Sequence, residues 1–391
     1  MSRSNIQVDL ILSKLAEEAE KAQERVHKVS DVLLDSLDTS IAATPYEIVH
    51  QEDRVKLKHY LPVKAAELKT PLLVVYALIN RETMLDLQPG RSVVETFLSH
   101  GIDLYMLDWG YPTRKDKFLG LDDHINGYIG TMVDFIRKKY QTDQINLMGI
   151  CMGGTFCVIY SALHSEKIKN LVTTVTPTHF DTDKGLLHVW MKGIDPDLIV
   201  DTYGNVPGDV MNFGFLLLNP ARLMIDKYVG FHENMDKKAF VENFVRMEKW
   251  IFDSPDLPGE VFREFVKGCY QKNLLIQSRL EVGGQRVDLK NITMPLLNFY
   301  GKYDHLVPPE ACEQLKDRVG SRDVTDICLD TGHIGIYVSS KCQREFAPRI
   351  ASWLKERDVQ MQGAKVKKKS VPKSRMKTKA RKPEQTLRRK K

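Results

Sequence analysis

A cysteine stands at the centre of Gly149-Ile-Cys151-Met-Gly153, directly after the apolar run Ile145-Asn-Leu-Met148 and shortly before the helix-like stretch Phe156 to Leu163. A chain that passes from a buried strand into a helix over so few residues must turn sharply, and side chains at Gly149 and Gly153 would crowd that turn. The pattern reads as a nucleophile elbow that carries sulfur, with Cys151 projecting above the end of a strand. Such an elbow requires a sheet beneath it and crossover helices around it, so it commits the chain to an α/β architecture.

The flanking sequence agrees. Glu47 to Tyr60 alternates as a hairpin would, Leu72 to Tyr76 reads as a buried strand, Val93 to Ser99 as a helix, Ile102 to Leu107 as a strand and Asp122 to Tyr140 as a longer helix. Leu171 to Val175 is a further strand. The rhythm then breaks, and helical stretches rich in Met, Phe and Trp run from about 178 to 287, too long for an ordinary connection. Alternation resumes with Pro295 to Tyr300 as strand, Pro309 to Leu315 as helix, Val324 to Leu329 as strand and Arg344 to Leu354 as helix. The simplest organisation is a helical lead-in over 1–40, a core over 41–177, an inserted cap over 178–287, the second part of the core over 288–358 and a tail over 359–391. With 42% hydrophobic residues in 391, the chain has ample material for a sizeable core.

Charge sets the tail apart. From Gly363 to Lys391 there are 14 Lys and Arg against Glu384 alone, while the rest of the chain is mildly acidic. So polar a segment buries too little surface to offset its ordering entropy, and it is expected to be disordered, with anionic partners such as DNA, polyphosphate or lipid as its candidates. In the lead-in, Leu10, Leu12, Leu15, Val26, Val29, Val32 and Leu33 recur at helical spacing. No apolar run reaches the length of a membrane span, and the first residues lack a signal peptide's apolar core, so a cytoplasmic protein is expected. Its six cysteines are scattered without zinc or disulfide spacing, and neither a metal nor a disulfide framework is indicated.

An elbow nucleophile needs an acid and a base on loops after later strands, in that order along the chain. After the strand ending at Tyr300 comes Gly301-Lys-Tyr-Asp304-His305, and after the strand ending at Leu329 comes Asp330-Thr-Gly-His333. Asp304 and His333 fall where acid and base belong. His305 is a rival base, ranked second because a neighbour of the acid points the other way on an extended loop. His124, His179 and His188 are candidates to line a pocket, with packing roles favoured. One oxyanion donor follows from the elbow itself, the N–H of Met152; the second comes from the loop Ala77-Leu-Ile-Asn-Arg81, with Ile79 as the choice within it. No glycine-rich phosphate loop is present. On residue grounds alone an esterase, a thioesterase and an acyltransferase all remain open. Sulfur favours the transferase: a thioester on Cys151 keeps the activation of a coenzyme A thioester, which a serine ester would lose.

Beyond these three positions, the chain resembles the catalytic subunit of class III polyhydroxyalkanoate synthases. The resemblance is carried by Pro71-Leu-Leu-Val-Val-Tyr-Ala-Leu-Ile-Asn-Arg81, Leu107-Asp-Trp-Gly-Tyr-Pro112, Leu147 to Gly154, Arg246-Met-Glu-Lys-Trp-Ile-Phe-Asp-Ser-Pro-Asp256, Asp304-His-Leu-Val-Pro-Pro309 and Gly332-His-Ile-Gly-Ile-Tyr-Val-Ser339. It implies an α/β-hydrolase fold with a mostly parallel central sheet and an inserted, largely helical cap. It also implies transfer of (R)-3-hydroxyacyl groups from coenzyme A through Cys151 onto a growing polyester, with His333 as base and Asp304 as the third catalytic residue. Asp304 then either orients His333 or activates the substrate's 3-hydroxyl. Coenzyme A is the substrate's carrier, and no separate cofactor is expected. The family further implies a second synthase subunit, a homodimer of the catalytic subunit and a place at the surface of a cytoplasmic polymer granule. Two alternatives stand beside it: a cysteine-dependent α/β hydrolase acting on an ester, thioester or lactone, and a class IV synthase, toward which Met152 leaves the subclass open. Nothing in the resemblance accounts for the tail.

Overall fold

The computed structural model describes residues 37–235 and 237–358. Of the helical lead-in expected over 1–40 only 37–40 fall within that range, and the basic tail expected over 359–391 lies outside it.

Nearly continuous apolar runs can be strands only if both faces are covered, and that is how the centre of the sheet is built. β3 (Leu72–Val75), β4 (Leu104–Asp108) and β5 (Ile145–Ile150) are buried at every position, and β6 (Ile168–Thr174) and β9 (Leu296–Gly301) nearly so or entirely. These strands pair in parallel, with β10 (Val324–Leu329) continuing the parallel run beyond β9. The other edge is the antiparallel hairpin β1 (Tyr46–Glu52) and β2 (Val55–Tyr60), which turns at Asp53 in the left-handed region and joins through β2 to β4. The order across the sheet is β1-β2-β4-β3-β5-β6-β9-β10.

That order locates the chemistry. The chain leaves β3 toward β4 on one side, then crosses back so that β5 lies on the other side of β3. Loops leaving the carboxyl ends of β3 and β5 therefore diverge and open a crevice between them. The segment 77–81 follows β3 and Cys151 follows β5, so the two halves of the expected oxyanion site face the same crevice.

Two helices differ from the periodicity reading. The stretch expected as one helix over 122–140 is a π-helical turn at Asp123–Ile129 followed by an α-helix at Gly130–Tyr140. His124 is fully buried there, with Nδ1 2.7 Å from the Gly120 carbonyl and Nε2 3.3 Å from the Arg54 guanidinium, so a tertiary anchor accompanies the wide turn. The helix after the elbow begins at Met152 and ends at Leu163, absorbing Gly153 and Gly154, which local propensity would leave out. Between β6 and β9 lies the largely helical cap, whose longest helix among the described residues is Lys238–Phe252; it also carries a two-stranded hairpin, β7 (Glu281–Val282) with β8 (Gln285–Arg286).

Candidate active site

The elbow is held by three kinds of constraint. Cys151 has φ 53° and ψ −125°, a conformation that costs a side-chain-bearing residue of order 1–3 kcal/mol and persists only where neighbours enforce it. Its N–H donates to the Thr174 carbonyl at 2.9 Å, and its carbonyl accepts from the Thr155 N–H at 3.1 Å. The glycines allow the approach: a Cβ on Gly153 would lie 2.3 Å from the Tyr76 carbonyl oxygen, and one on Gly149 would lie 2.4 Å from the Gly154 Cα. Strand β3 and the elbow are thus in backbone contact, which brings the segment after Tyr76 up to the nucleophile. Cys151 is partly exposed. Burial raises the thiols of Cys157, Cys269 and Cys312, and that of Cys328 is raised by the same cause, which marks these four as poor sources of thiolate.

Acid and base meet across two stitched loops. The Lys302 N–H donates to the Leu329 carbonyl at 2.8 Å and the Tyr303 N–H to the Thr331 carbonyl at 2.9 Å, tying the loop after β9 to the loop after β10. His333 Nδ1 donates to Asp304 Oδ2 at 2.6 Å, which leaves Nε2 unused by that bond, and Cys151 is near enough to be among the groups that raise the His333 pKa. Asp304 Oδ1 accepts from the N–H groups of Leu306 and Val307, both at 2.9 Å, and its side chain has no solvent exposure. Both oxygens are engaged. Burial alone would push the His333 pKa down, but the charge of Asp304, with Cys151 beside the ring and the hydrogen bond to Asp304, outweighs it and raises it to about 10.

The Met152 N–H opens the helix that begins at the elbow, where the helix dipole favours negative charge. In the loop after β3, the N–H groups of Ala77, Leu78 and Ile79 make no hydrogen bond among the described residues, so the loop presents unused donors beside the elbow. Of the other histidines, His305 is half-buried, with its pKa lowered chiefly by burial, and no contact joins it to Cys151. His124 packs between Trp109 and Phe156, and His179 lies 3.1 Å from the Asn273 amide. His188 is fully buried against Phe180 and Tyr270, and burial holds its pKa down at about 4.

What residue patterns did not reveal is a buried charge network under the β3 loop. Lys58, on the half-buried strand β2, reaches Glu82 at 2.5 Å and Asp108 at 2.9 Å; the Arg81 guanidinium adds contacts to Asp108 at 3.2 Å and to Glu82 at 3.3 Å. Asp108 lies in one of the stretches that carry the family resemblance, the signal that points to it.

Comparison with known proteins bears on the fold and the family. Residues 70–339 match the family model for the alpha/beta hydrolase fold, and residues 10–97 match that for the N-terminus of poly-beta-hydroxybutyrate polymerase. A poly(3-hydroxyalkanoate) polymerase subunit from Thiocystis violacea is 46% identical over 353 residues, covering 90% of this chain and 99% of its own. One from Synechocystis is 46% identical over 82% of this chain and 86% of its own. Among solved structures, a monoglyceride lipase from Saccharomyces cerevisiae superposes with a TM-score of 0.51 at 13% identity, covering 83% of this chain and 98% of the lipase, which speaks for the fold alone.

Proposed function

The chain belongs to the poly(3-hydroxyalkanoate) polymerases built on the alpha/beta hydrolase fold, and from that membership we propose that Cys151 carries the (R)-3-hydroxyacyl group from coenzyme A to the growing polyester. The observation that carries this reading is the buried Asp304–His333 pair beside the partly exposed Cys151 on its strained elbow. His333 takes the thiol proton as sulfur attacks the thioester carbonyl. The oxyanion is received by the N–H groups of Met152 and Ile79. Coenzyme A leaves as its thiol with the proton from His333, and the acyl group rests on Cys151 as a thioester. A 3-hydroxyl then attacks that carbonyl, His333 takes the hydroxyl proton, and the thiol is restored as the new ester forms.

Asp304 acts through His333. A carboxylate without solvent exposure, whose two oxygens already accept three hydrogen bonds, keeps at most one acceptor site and no exposed surface through which a substrate hydroxyl could reach it. Coenzyme A enters as the carrier of the substrate, and this chemistry asks for no further cofactor.

A second synthase subunit is favoured by the relatives' description as polymerase subunits, among them the Thiocystis and Allochromatium proteins, which also favour class III over class IV. Self-association as a homodimer is supported by large apolar side chains left exposed on the cap. No helix among the described residues is long and apolar enough to cross a membrane, and the insolubility of the product supports a place for the chain at the polymer surface. The tail's charge suits anionic partners, DNA, polyphosphate or lipid.

The test is direct. Purified protein with 3-hydroxybutyryl-coenzyme A releases free thiol and turns turbid with polymer, and Cys151→Ala abolishes both, a fall of at least about a thousand-fold. Thiol release with only soluble 3-hydroxybutyrate would turn the reading toward a hydrolase.

A further inference from the structure

The loop that offers the second oxyanion donor is held by the cap. Asn80 and Arg81 directly follow Ile79, and Asn80 turns the chain with φ 57°. From below, Arg81 is fixed by Asp108 and Glu82, which Lys58 clamps together, a buried set of two cations and two anions. From above come residues at the end of the cap helix Lys238–Phe252. The Trp250 indole N–H donates to the Arg81 carbonyl at 2.8 Å, and the Asn80 amide donates to the Ser254 hydroxyl. Tyr111 completes the set: Arg81 donates to its hydroxyl at 2.5 Å and stacks over its ring at 4.7 Å, and that hydroxyl donates in turn to Asp253. Three N–H groups of the loop are unused, while the two residues after them are gripped from both sides.

We propose that Trp250, Ser254 and Asn80 form a latch through which the cap positions the N–H of Ile79 for the oxyanion, so that the hole is complete only while the cap end is seated. The inference rests on the reading of the β3 loop as second donor. Its physical basis is short leverage. The Arg81 carbonyl and the Asn80 side chain lie two and one residues beyond Ile79, so a shift of the 250–254 segment is passed to that peptide with almost no chain to absorb it. A displacement of about an ångström at a donor costs up to about a hundred-fold in rate. These are positioning residues, since none of them touches the reacting atoms.

The test uses the full chain with Trp250→Phe, which keeps the ring and removes the donor, and Ser254→Ala. Three quantities are read: kcat and KM for 3-hydroxybutyryl-coenzyme A, the rate at which iodoacetamide alkylates Cys151, followed on its own peptide by mass spectrometry, and the melting temperature. Alkylation develops no oxyanion, so it reports the nucleophile alone. The expected result is kcat lower by about ten-fold in Trp250→Phe and by a smaller factor in Ser254→Ala, with KM within about two-fold and alkylation unchanged. An unchanged kcat in both variants overturns the latch, and so does an equal fall of kcat and alkylation, which would place the effect on Cys151. If Trp250→Phe melts early, Ser254→Ala decides by the same split. A wild-type protein that releases no coenzyme A overturns the polymerase chemistry beneath the proposal; a wild-type protein that turns over beside variants of equal kcat overturns the latch alone.

Discussion

Around Cys151 the polar groups are buried and paired; on the outer cap the apolar groups are exposed and unpaired. Asp304 and His333 hold each other at 2.6 Å out of solvent, whereas Val210, Phe213, Leu217, Ile225 and Val229, on the cap helix Gly208–Leu218 and the segment after it, each keep at least 40% of their surface in water. Burial in the first region makes every polar contact expensive to break and so fixes one geometry. In the second, clustered exposed side chains of this size are a surface that lacks its cover. Chemistry is built into the sheet, and the exposed apolar surface is left on the cap.

The strongest way to break this contrast is Asp304→Asn, which preserves shape and removes the charge. Coenzyme A release should fall by roughly 10² to 10⁴, as in other triads where the orienting carboxylate becomes an amide. A single-turnover measurement sharpens it. If Asp304 acts through His333, acylation of Cys151 slows along with elongation. Acylation that survives while elongation stops would instead put Asp304 on the substrate's hydroxyl.

Glycines probe the same contrast through packing. An added Cβ at Gly153 meets the Tyr76 carbonyl at 2.3 Å, and because the obstacle is backbone, β3 or the elbow must move. Gly153→Ala should cost about 1–3 kcal/mol in denaturant unfolding and lower turnover as well. Gly214, inside the cap helix, has nothing within 4 Å of an added Cβ, so Gly214→Ala should stabilise by up to about 1 kcal/mol. Similar losses at both positions would mean that the cap helix is packed as tightly as the elbow.

Titration gives opposite signs for two buried histidines, His333 beside Cys151 and His188 on the cap helix Leu186–Gly193. His333 rises from an ordinary value near 6.5 to about 10, so the folded protein prefers its charged form. Its contribution to stability is complete below pH about 6.5 and is lost as pH climbs through about 10. His188 is held at about 4 and prefers to be neutral, so its contribution is present above pH about 6.5 and lost as pH falls through about 4. Urea unfolding across this range should show the alkaline loss flattened in Asp304→Asn, while the acid loss persists, because burial and not the Asp304 charge is the chief cause that holds His188 down.

How much of this the sequence discloses depends on how local the cause is. The helix Val93–Ser99 and the strand Val324–Leu329 coincide with their periodicity, and Cys151, Asp304 and His333 stand out in the sequence because each lies at or shortly after the end of a strand that can be read locally. Lys58 is the opposite case. A lysine in an alternating strand reads as a solvent-facing residue, yet it is buried, because its partners Glu82 and Asp108 come from 24 and 50 residues away. Trp250 on the Arg81 carbonyl spans 169 residues and is equally invisible to any local pattern. The π-helical turn at Asp123–Ile129 is hidden for the same reason, since its anchors on His124 are tertiary.

The smallest expected effect concerns the cap surface. Phe213 is 58% exposed, on the same helix as Val210 and Leu217, one helical turn to either side at spacings of three and four. Phe213→Ser removes a ring that packs on little of its own chain, so monomer stability should change by less than about 0.5 kcal/mol. Coenzyme A release by the isolated chain should stay within about two-fold, because the ring belongs to neither the buried triad nor the segment at 250–254. Self-association measured by sedimentation should weaken, since an exposed aromatic at the centre of an apolar row loses water only when a second surface covers it. Sedimentation unchanged by Phe213→Ser, with wild-type protein dimeric, would move the interface off this helix and leave its apolar row to the partner subunit or the polymer. A large loss of monomer stability would instead show that the ring is already covered within the chain, and the contrast between the two regions would then be one of degree.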